Sequence, residues 1–208
     1  MPKNSLILDI ACGVGYMEHY LLKKGFTQIH AVDISEEQIQ VAKSKLNEHG
    51  FDFADKVQFY LSDAFEFLKR KNKNSYDVVT IIDFLEHLEK DKVIELLDLV
   101  NNALHCGGFI FVRVINADNP MWGRYFYHDF THQTPFTPDA LQQCLSATNF
   151  EVVKLSYEVM PLMKKNKLDL ITELKRSIRW AGLWFLGKFL GIPPQAFTEN
   201  LIAVAKKR

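Results

Sequence analysis

Two groups of residues in this chain have types and spacings that can do chemistry. The first is the turn Asp9-Ile10-Ala11-Cys12-Gly13-Val14-Gly15, followed by Asp33, Asp63 and Asp83, each at or just beyond the end of a short apolar run. Glycines in such a turn admit left-handed backbone and let a ligand approach the main chain. A turn that opens a helix also offers free N–H groups and the positive end of the helix dipole. Carboxylates at successive strand ends accept hydrogen bonds from ribose hydroxyls or from a base amino group. The set therefore points to a ligand that carries a nucleoside. A dinucleotide turn, GxGxxG, would need its third glycine at position 18, where this chain has Glu18, so NAD is the weaker reading.

The second group is Asp83-x-x-Glu86-His87, with His128-Asp129-Phe130-Thr131-His132 far downstream. If a helix begins near Asp83, positions 83, 86 and 87 share one face. Converging with His132, they would form a mixed oxygen and nitrogen site for Mg²⁺, Mn²⁺ or Zn²⁺. Without a metal, His132 or His87 is the best general base because imidazole titrates near neutrality, with His128 and Asp129 next in line.

These residues need a scaffold that brings strand ends to one edge. Short β-rich runs alternate with helical patterns, as in a parallel sheet covered by helices on both faces. Strands are expected at Leu6 to Ile10, Gln28 to Asp33, Val57 to Leu61, Tyr76 to Ile82, Phe109 to Ile115, Phe150 to Tyr157 and Asn200 to Ala205. Helices are expected at Met17 to Lys24, Ser35 to about His49, Ala64 to about Lys71, Lys90 to Leu104 and Thr137 to Thr148. Ser35 with Gln38 reads as a capping box, and Thr137-Pro138 as an N-cap with proline at the first helical position.

The whole chain sets bounds. Its 208 residues, 48% apolar and 24% charged, suit one domain over 1–208 with a single core. A formal charge of +0 disfavours DNA or RNA as a partner. Cys12, Cys106 and Cys144 are scattered and odd in number, which fits a reducing cytosol rather than a disulfide framework. The first ten residues do not read as a signal peptide, and no run is long and apolar enough to span a bilayer. The expected location is cytoplasmic.

LDIACGVG, AVD, SDA and YDVVTIIDFLEHL, taken as a set with NALHCGGFIFVRV, resemble the motifs of class I S-adenosylmethionine-dependent methyltransferases. The resemblance covers about residues 5–157 plus the last strand. It implies a Rossmann-like α/β sheet of order 3-2-1-4-5-7-6 with strand 7 antiparallel. It places Asp9, Gly13 and Gly15 along the methionine part of the cofactor, Asp33 at the ribose and Asp63 at the adenine. Ala11, Cys12, Tyr16, Ile34, Ala64 and Asp83 lie beside them. Ala11 stands where the family has its first glycine, a change small enough to fit. The chain begins at the first strand, without the helices that usually precede it in relatives.

The Asp83/Glu86/His87 pattern with a distal histidine resembles the metal-holding motif of small-RNA 2′-O-methyltransferases and of ubiquinone-biosynthesis O-methyltransferases. A [DN]-P-P-[YF] after the fourth strand, the mark of base-amine methylases, is replaced by Asp83-Phe84-Leu85. The acceptor expected is therefore a small-molecule or glycan hydroxyl. An RNA 2′-hydroxyl, or a silent subunit that serves a partner, are the rivals. A helical insertion is expected at about 159–198, with seven lysines and arginines against two acids and two tryptophans. Residues 168–190 suit contact with a membrane surface at the inner face or with a second copy. HDFTHQTPFT together with this insertion also resembles, more loosely, methyltransferases of bacterial polysaccharide assembly.

Overall fold

The central strands are almost wholly apolar, so they must be covered on both faces, and the chain meets this by alternating strands with helices. A computed structural model describes residues 1–71, 73–158, 181–182, 184–189, 191 and 193–208. Seven strands, β1 (Leu6–Ile10), β2 (Gln28–Asp33), β3 (Val57–Leu61), β4 (Tyr76–Ile82), β5 (Leu104–Ile115), β6 (Phe150–Tyr157) and β7 (Asn200–Lys207), form one sheet. Its order is β3-β2-β1-β4-β5-β7-β6. β7 runs antiparallel to both β5 and β6, and the pairs among β1 to β5 are parallel. This is the sheet that the motifs imply.

The described helices are α1 (Tyr16–Lys23), α2 (Glu36–Glu48), α3 (Ala64–Arg70), α4 (Lys90–Ala103), α5 (Trp122–Phe126) and α6 (Pro138–Ala147). Alternation along each strand sends neighbouring side chains to opposite faces. Ile7, Ile29, Ala31 and Val57 pack with Leu21 and Leu22 of α1 and Leu46 of α2. Leu8, Ile10, Val79, Ile81, Ile110 and Val112 pack with α3, α4 and α6 through Phe67, Leu68, Val93, Leu96, Leu97, Leu141 and Leu145.

The caps read from the sequence are present. Ser35 Oγ accepts from the Gln38 N–H at 3.3 Å, and Thr137 Oγ1 accepts from the Ala140 N–H at 3.2 Å. β5 differs from expectation. It begins at Leu104 rather than Phe109, taking in Gly107 and Gly108, with a register shift against β4 between Tyr76 and Val78. Helix α5 was not anticipated, because five residues carry too little periodicity to announce a helix.

Of the expected insertion, 159–180 and residues 183, 190 and 192 lie outside the described residues. Residues 184–189 are helical, with Trp184, Phe185, Leu186 and Phe189 exposed. The segment before β7 is tied to the loop after β5. Asn116 Nδ2 donates to the carbonyls of Ala196 and Thr198, and Asn119 Nδ2 to those of Phe197 and Thr198.

Candidate active site

Four acids gather at the carboxyl edge of the sheet because β1 to β4 are parallel and adjacent, so their C-termini share one side. Asp9 is buried near the end of β1 and accepts a hydrogen bond from Thr80 Oγ1 of β4. The turn that follows is left-handed at Ala11 (φ 56°), Gly13 (φ 53°) and Gly15 (φ 81°). Ala11 thus fits, but in a conformation that L-residues resist. A Cβ on Gly15 would lie 2.8 Å from Ala42 Cβ, so glycine there lets α1 pass close over α2. Nothing lies within 4 Å of a Cβ built on Gly13, which leaves that turn open to a ligand.

Asp33 holds the turn from the second strand. Its Oδ2 accepts from the Gly13 N–H and its Oδ1 from the Ser35 N–H, both at 2.8 Å. A carboxylate has about four lone-pair sites, so two remain for ribose hydroxyls. Tyr16, at the start of α1, and Ile34, next to Asp33, both expose apolar surface, 76% and 73% accessible respectively. Asp63 caps α3, with Oδ1 accepting from Phe65 and Glu66 N–H at 2.9 and 3.0 Å. That cap uses Oδ1 and leaves Oδ2 able to accept from a base amine, with Ala64 buried next to it in sequence. Cys12 is buried behind the turn, and burial, with Glu18 and Asp9 nearby, pushes its thiol up out of reach of ionisation.

The downstream group assembles differently from the sequence expectation. After β4 the chain makes one tight 3-10 turn, Leu85–His87, not an α-helix from Asp83. Three residues per turn send Glu86 and His87 in different directions. Asp83, left-handed at φ 51°, pairs with the Arg113 guanidinium of β5 through both of its oxygens. Arg113 also reaches Glu158 at 3.4 Å, and Glu158 accepts from Asn200 at 2.7 Å. Glu86 points into the core, 1% exposed, and neither carboxylate oxygen has a well-formed hydrogen-bond partner. Burial pushes its pKa up to about 7, with Asp83 adding to the rise and nearby backbone N–H groups and Arg113 opposing it. The four-residue metal set of Asp83, Glu86, His87 and His132 therefore does not form.

What does form is a cluster of His87, Asp129 and His132, with one ligand atom from each within 4.8 Å of the others. The loop that carries His132 is stapled to the 3-10 turn. Gln133 and Thr134 N–H both donate to the Glu86 carbonyl, at 2.7 and 3.1 Å. Thr134 Oγ1 donates to the Leu88 carbonyl and Gln133 Nε2 to that of His87. The imidazole centroids of His87 and His132 are consequently 4.5 Å apart.

Hydrogen bonding settles both tautomers. His132 Nδ1 lies 2.7 Å from the Phe126 carbonyl, which only accepts, so Nδ1 carries the proton. Thr131 gives its one hydroxyl proton to Asp129 Oδ1 at 2.7 Å, so His87 Nδ1, 2.8 Å from the same hydroxyl, must donate. In its neutral form each ring therefore carries its lone pair at Nε2, the form needed to take a proton or bind a metal. Burial and the facing His132 lower the His87 pKa, against the pull of Asp129 and Asp83. Two N–H and O–H donations from Thr131 hold Asp129 below the usual carboxylate range. His128 is exposed and is not part of the cluster.

Three residues of consequence escaped the sequence reading. Arg113 is signalled only by being a charge within the apolar run FIFVRVI. Thr131 has no sequence signal. Glu18 is completely buried on the inner face of α1 together with Leu21 and Leu22, a position where a carboxylate is out of place.

A family model described as a methyltransferase domain matches residues 2–155. Over 116 residues the chain is 31% identical to a ubiquinone biosynthesis O-methyltransferase of Idiomarina loihiensis, a match covering 56% of this chain and 44% of that protein. The matched stretch thus spans less than half the length of such relatives. A crystal structure of a SAM-dependent methyltransferase from Archaeoglobus fulgidus superposes with a TM-score of 0.71 at 27% identity, covering 98% of this chain and 86% of the other. Magnesium protoporphyrin IX methyltransferase from Synechocystis, solved with bound SAM, shares the fold at TM-score 0.63 and 14% identity, over 99% of this chain and 71% of that one. With its strand order, its glycine turn and its acids at successive strand ends, the chain belongs to the methyltransferase-domain family and has the class I S-adenosylmethionine-dependent methyltransferase fold.

Proposed function

We propose that the chain transfers the methyl group of S-adenosylmethionine to a hydroxyl oxygen of a small-molecule or glycan acceptor, with His132 as the general base. The observation that carries this reading is the pairing of two imidazoles whose Nδ1 atoms are both engaged in hydrogen bonds, so that each neutral ring carries its lone pair at Nε2. In the transfer the acceptor oxygen bonds to the methyl carbon and the carbon–sulfur bond breaks. Its electron pair goes to sulfur, giving S-adenosylhomocysteine, and the hydroxyl proton goes to Nε2 of His132. Similarity to ubiquinone biosynthesis O-methyltransferases supports an oxygen acceptor. Met121, Tyr127 and Phe130 expose apolar surface on the same loop, which favours an acceptor with an apolar portion.

The test is methyl transfer from labelled cofactor to a panel of catechols, glycosides and short RNAs, with wild type and His132→Gln. Loss of about 10²- to 10⁴-fold in kcat with cofactor affinity unchanged is expected, the usual contribution of a positioned base. Undiminished turnover in the variant would remove His132 from the mechanism, and transfer to RNA alone would replace the acceptor class.

The His87, Asp129 and His132 grouping favours a second reading, in which these three hold a divalent ion. Two imidazoles and one carboxylate suit Zn²⁺ or Mn²⁺ better than Mg²⁺. Such an ion would lower the acceptor hydroxyl's pKa. Turnover abolished by a chelator and restored by one of these ions would establish it. Resistance to chelation would leave His132 acting alone.

No helix among the described residues is long and apolar enough to cross a membrane. The exposed aromatic side chains of 184–189 support peripheral contact with a membrane surface or a second copy, and a cytoplasmic protein would meet such a surface at the inner face.

A further inference from the structure

The buried carboxyls of the β1–α1 region have no role in the transfer just described. Glu18 is 0% exposed and Asp9 is 2% exposed. Asp9 accepts the Thr80 hydroxyl, but neither oxygen of Glu18 meets a donor among the described residues. Two ionised carboxyls at such a place cannot both persist, since charge without a partner is strongly disfavoured in the interior. One proton held between them supplies the missing donor. Glu18 keeps it, because burial and the Asp9 charge raise its pKa well above the ordinary value. Asp9 accepts, itself raised to about 6 by burial, with the Thr80 and Glu18 hydrogen bonds opposing.

The surroundings make this pair a trap for positive charge. The titratable groups that act on it are Asp33 at the end of β2, which raises both members, and Cys12 in the turn. Thr80 of β4 contributes only a neutral hydroxyl. The turn that follows Asp9 is open at Gly13, where nothing lies within 4 Å of an added Cβ. S-adenosylmethionine carries two cationic centres, a sulfonium and an α-ammonium, and bound at this turn it would bring them toward the two acids. We propose that Glu18 and Asp9 form a one-proton carboxyl pair that recognises the cationic part of the cofactor and releases its proton when the cofactor binds. Glu18 acts through Asp9 and is a positioning residue. The inference rests on cofactor binding at this turn.

Linkage fixes the sign. A cation stabilises the ionised pair, so binding removes a proton that the empty protein holds, and affinity must rise with pH across the pair's titration. The experiment is calorimetric titration of the full chain with S-adenosylmethionine from pH 5.5 to 7.5, in two buffers of different ionisation enthalpy. This range stays below that of a typical α-amino group, about 7.7–8.0. Wild type is expected to tighten by up to about tenfold per pH unit and to release up to about one proton. Glu18→Gln keeps the shape, cannot titrate, and should bind with flat pH dependence and little proton release.

S-adenosylhomocysteine, which has the ammonium but no sulfonium, assigns the charge that is sensed. Release with both ligands identifies the ammonium and release with S-adenosylmethionine alone the sulfonium, and either supports the pair. Binding by wild type without pH dependence or proton exchange overturns the proposal, as does equal release by the variant. Absence of any binding in wild type would instead sink the placement of the cofactor at this turn. The two-buffer measurement on wild type stands even if Glu18→Gln fails to fold.

Discussion

Substituting alanine at Gly15 isolates a single contact that shapes the cofactor turn. The backbone there is left-handed, φ 81°, where an L-residue is strained by about 1–2 kcal/mol. The added methyl would also lie 2.8 Å from Ala42 Cβ, closer than carbon atoms tolerate, and a tight 3.2 Å from Ala42 Cα. Overpacking of this kind costs about 1–3 kcal/mol. Part of the total is offset because alanine has less freedom to lose on folding than glycine. The net expectation is a loss of about 2–4 kcal/mol, which in a chain of this size lowers Tm by roughly 5–15 °C. Thermal unfolding followed by circular dichroism measures it.

The decisive variant is Gly15→Ala combined with Ala42→Gly. Alone, Ala42→Gly should cost about 1 kcal/mol of helix propensity in α2. Together the two should recover about 1–2 kcal/mol relative to additivity, because the colliding methyl is gone. Gly13→Ala serves as the contrast. Nothing crowds it, so only backbone strain lowers Tm, but its methyl would occupy the open side of the turn and weaken cofactor binding. Additivity of the Gly15 and Ala42 changes within about 0.5 kcal/mol would refute the contact as the cause.

Other outcomes follow from the same geometry. Glu86 has its folded pKa raised to about 7 from an ordinary value of 4.5, so its favourable contribution is present below 4.5 and is lost as pH rises to about 7. Glu86→Gln should therefore be the more stable form at pH 8.5, by roughly 3 kcal/mol from that shift, and lose this advantage near pH 4; urea unfolding at the two pH values checks it. Ala11→Gly relieves a left-handed alanine at φ 56° and should raise stability by about 1 kcal/mol, with a lower Tm counting against the strain. Trp184→Ser with Phe189→Ser should reduce co-sedimentation with anionic liposomes if residues 184–189 touch a membrane, and equal partitioning of both forms would dismiss that contact.

Much of the placement of these residues was legible in the sequence. Asp9, Gly13, Gly15, Asp33 and Asp63 are readable because strand-to-helix turns and strand ends leave local marks: a glycine, an acid, an apolar run that stops. Parallel order then brings those marks to one edge by topology alone. The failures are equally physical. Asp83 and Glu86 looked like ligands because an α-helix would align them with His87, but a 3-10 turn does not. Arg113 then claims Asp83 from a neighbouring strand thirty positions away, a pairing that no local pattern encodes.

What the sequence determined by itself is the glycine turn after β1, the order of the elements and the caps at Ser35 and Thr137, since each depends on residues within a few positions of one another. Tertiary structure alone decided the cluster of His87, Asp129 and His132. His132 meets His87 because backbone donors at Gln133 and Thr134 find the Glu86 carbonyl across a long separation, and Thr131 sets the His87 tautomer only once that loop is docked. Burial decided the rest. Glu18 and Glu86 are ordinary acids in the sequence, and only removal from water turns them into proton-holding groups.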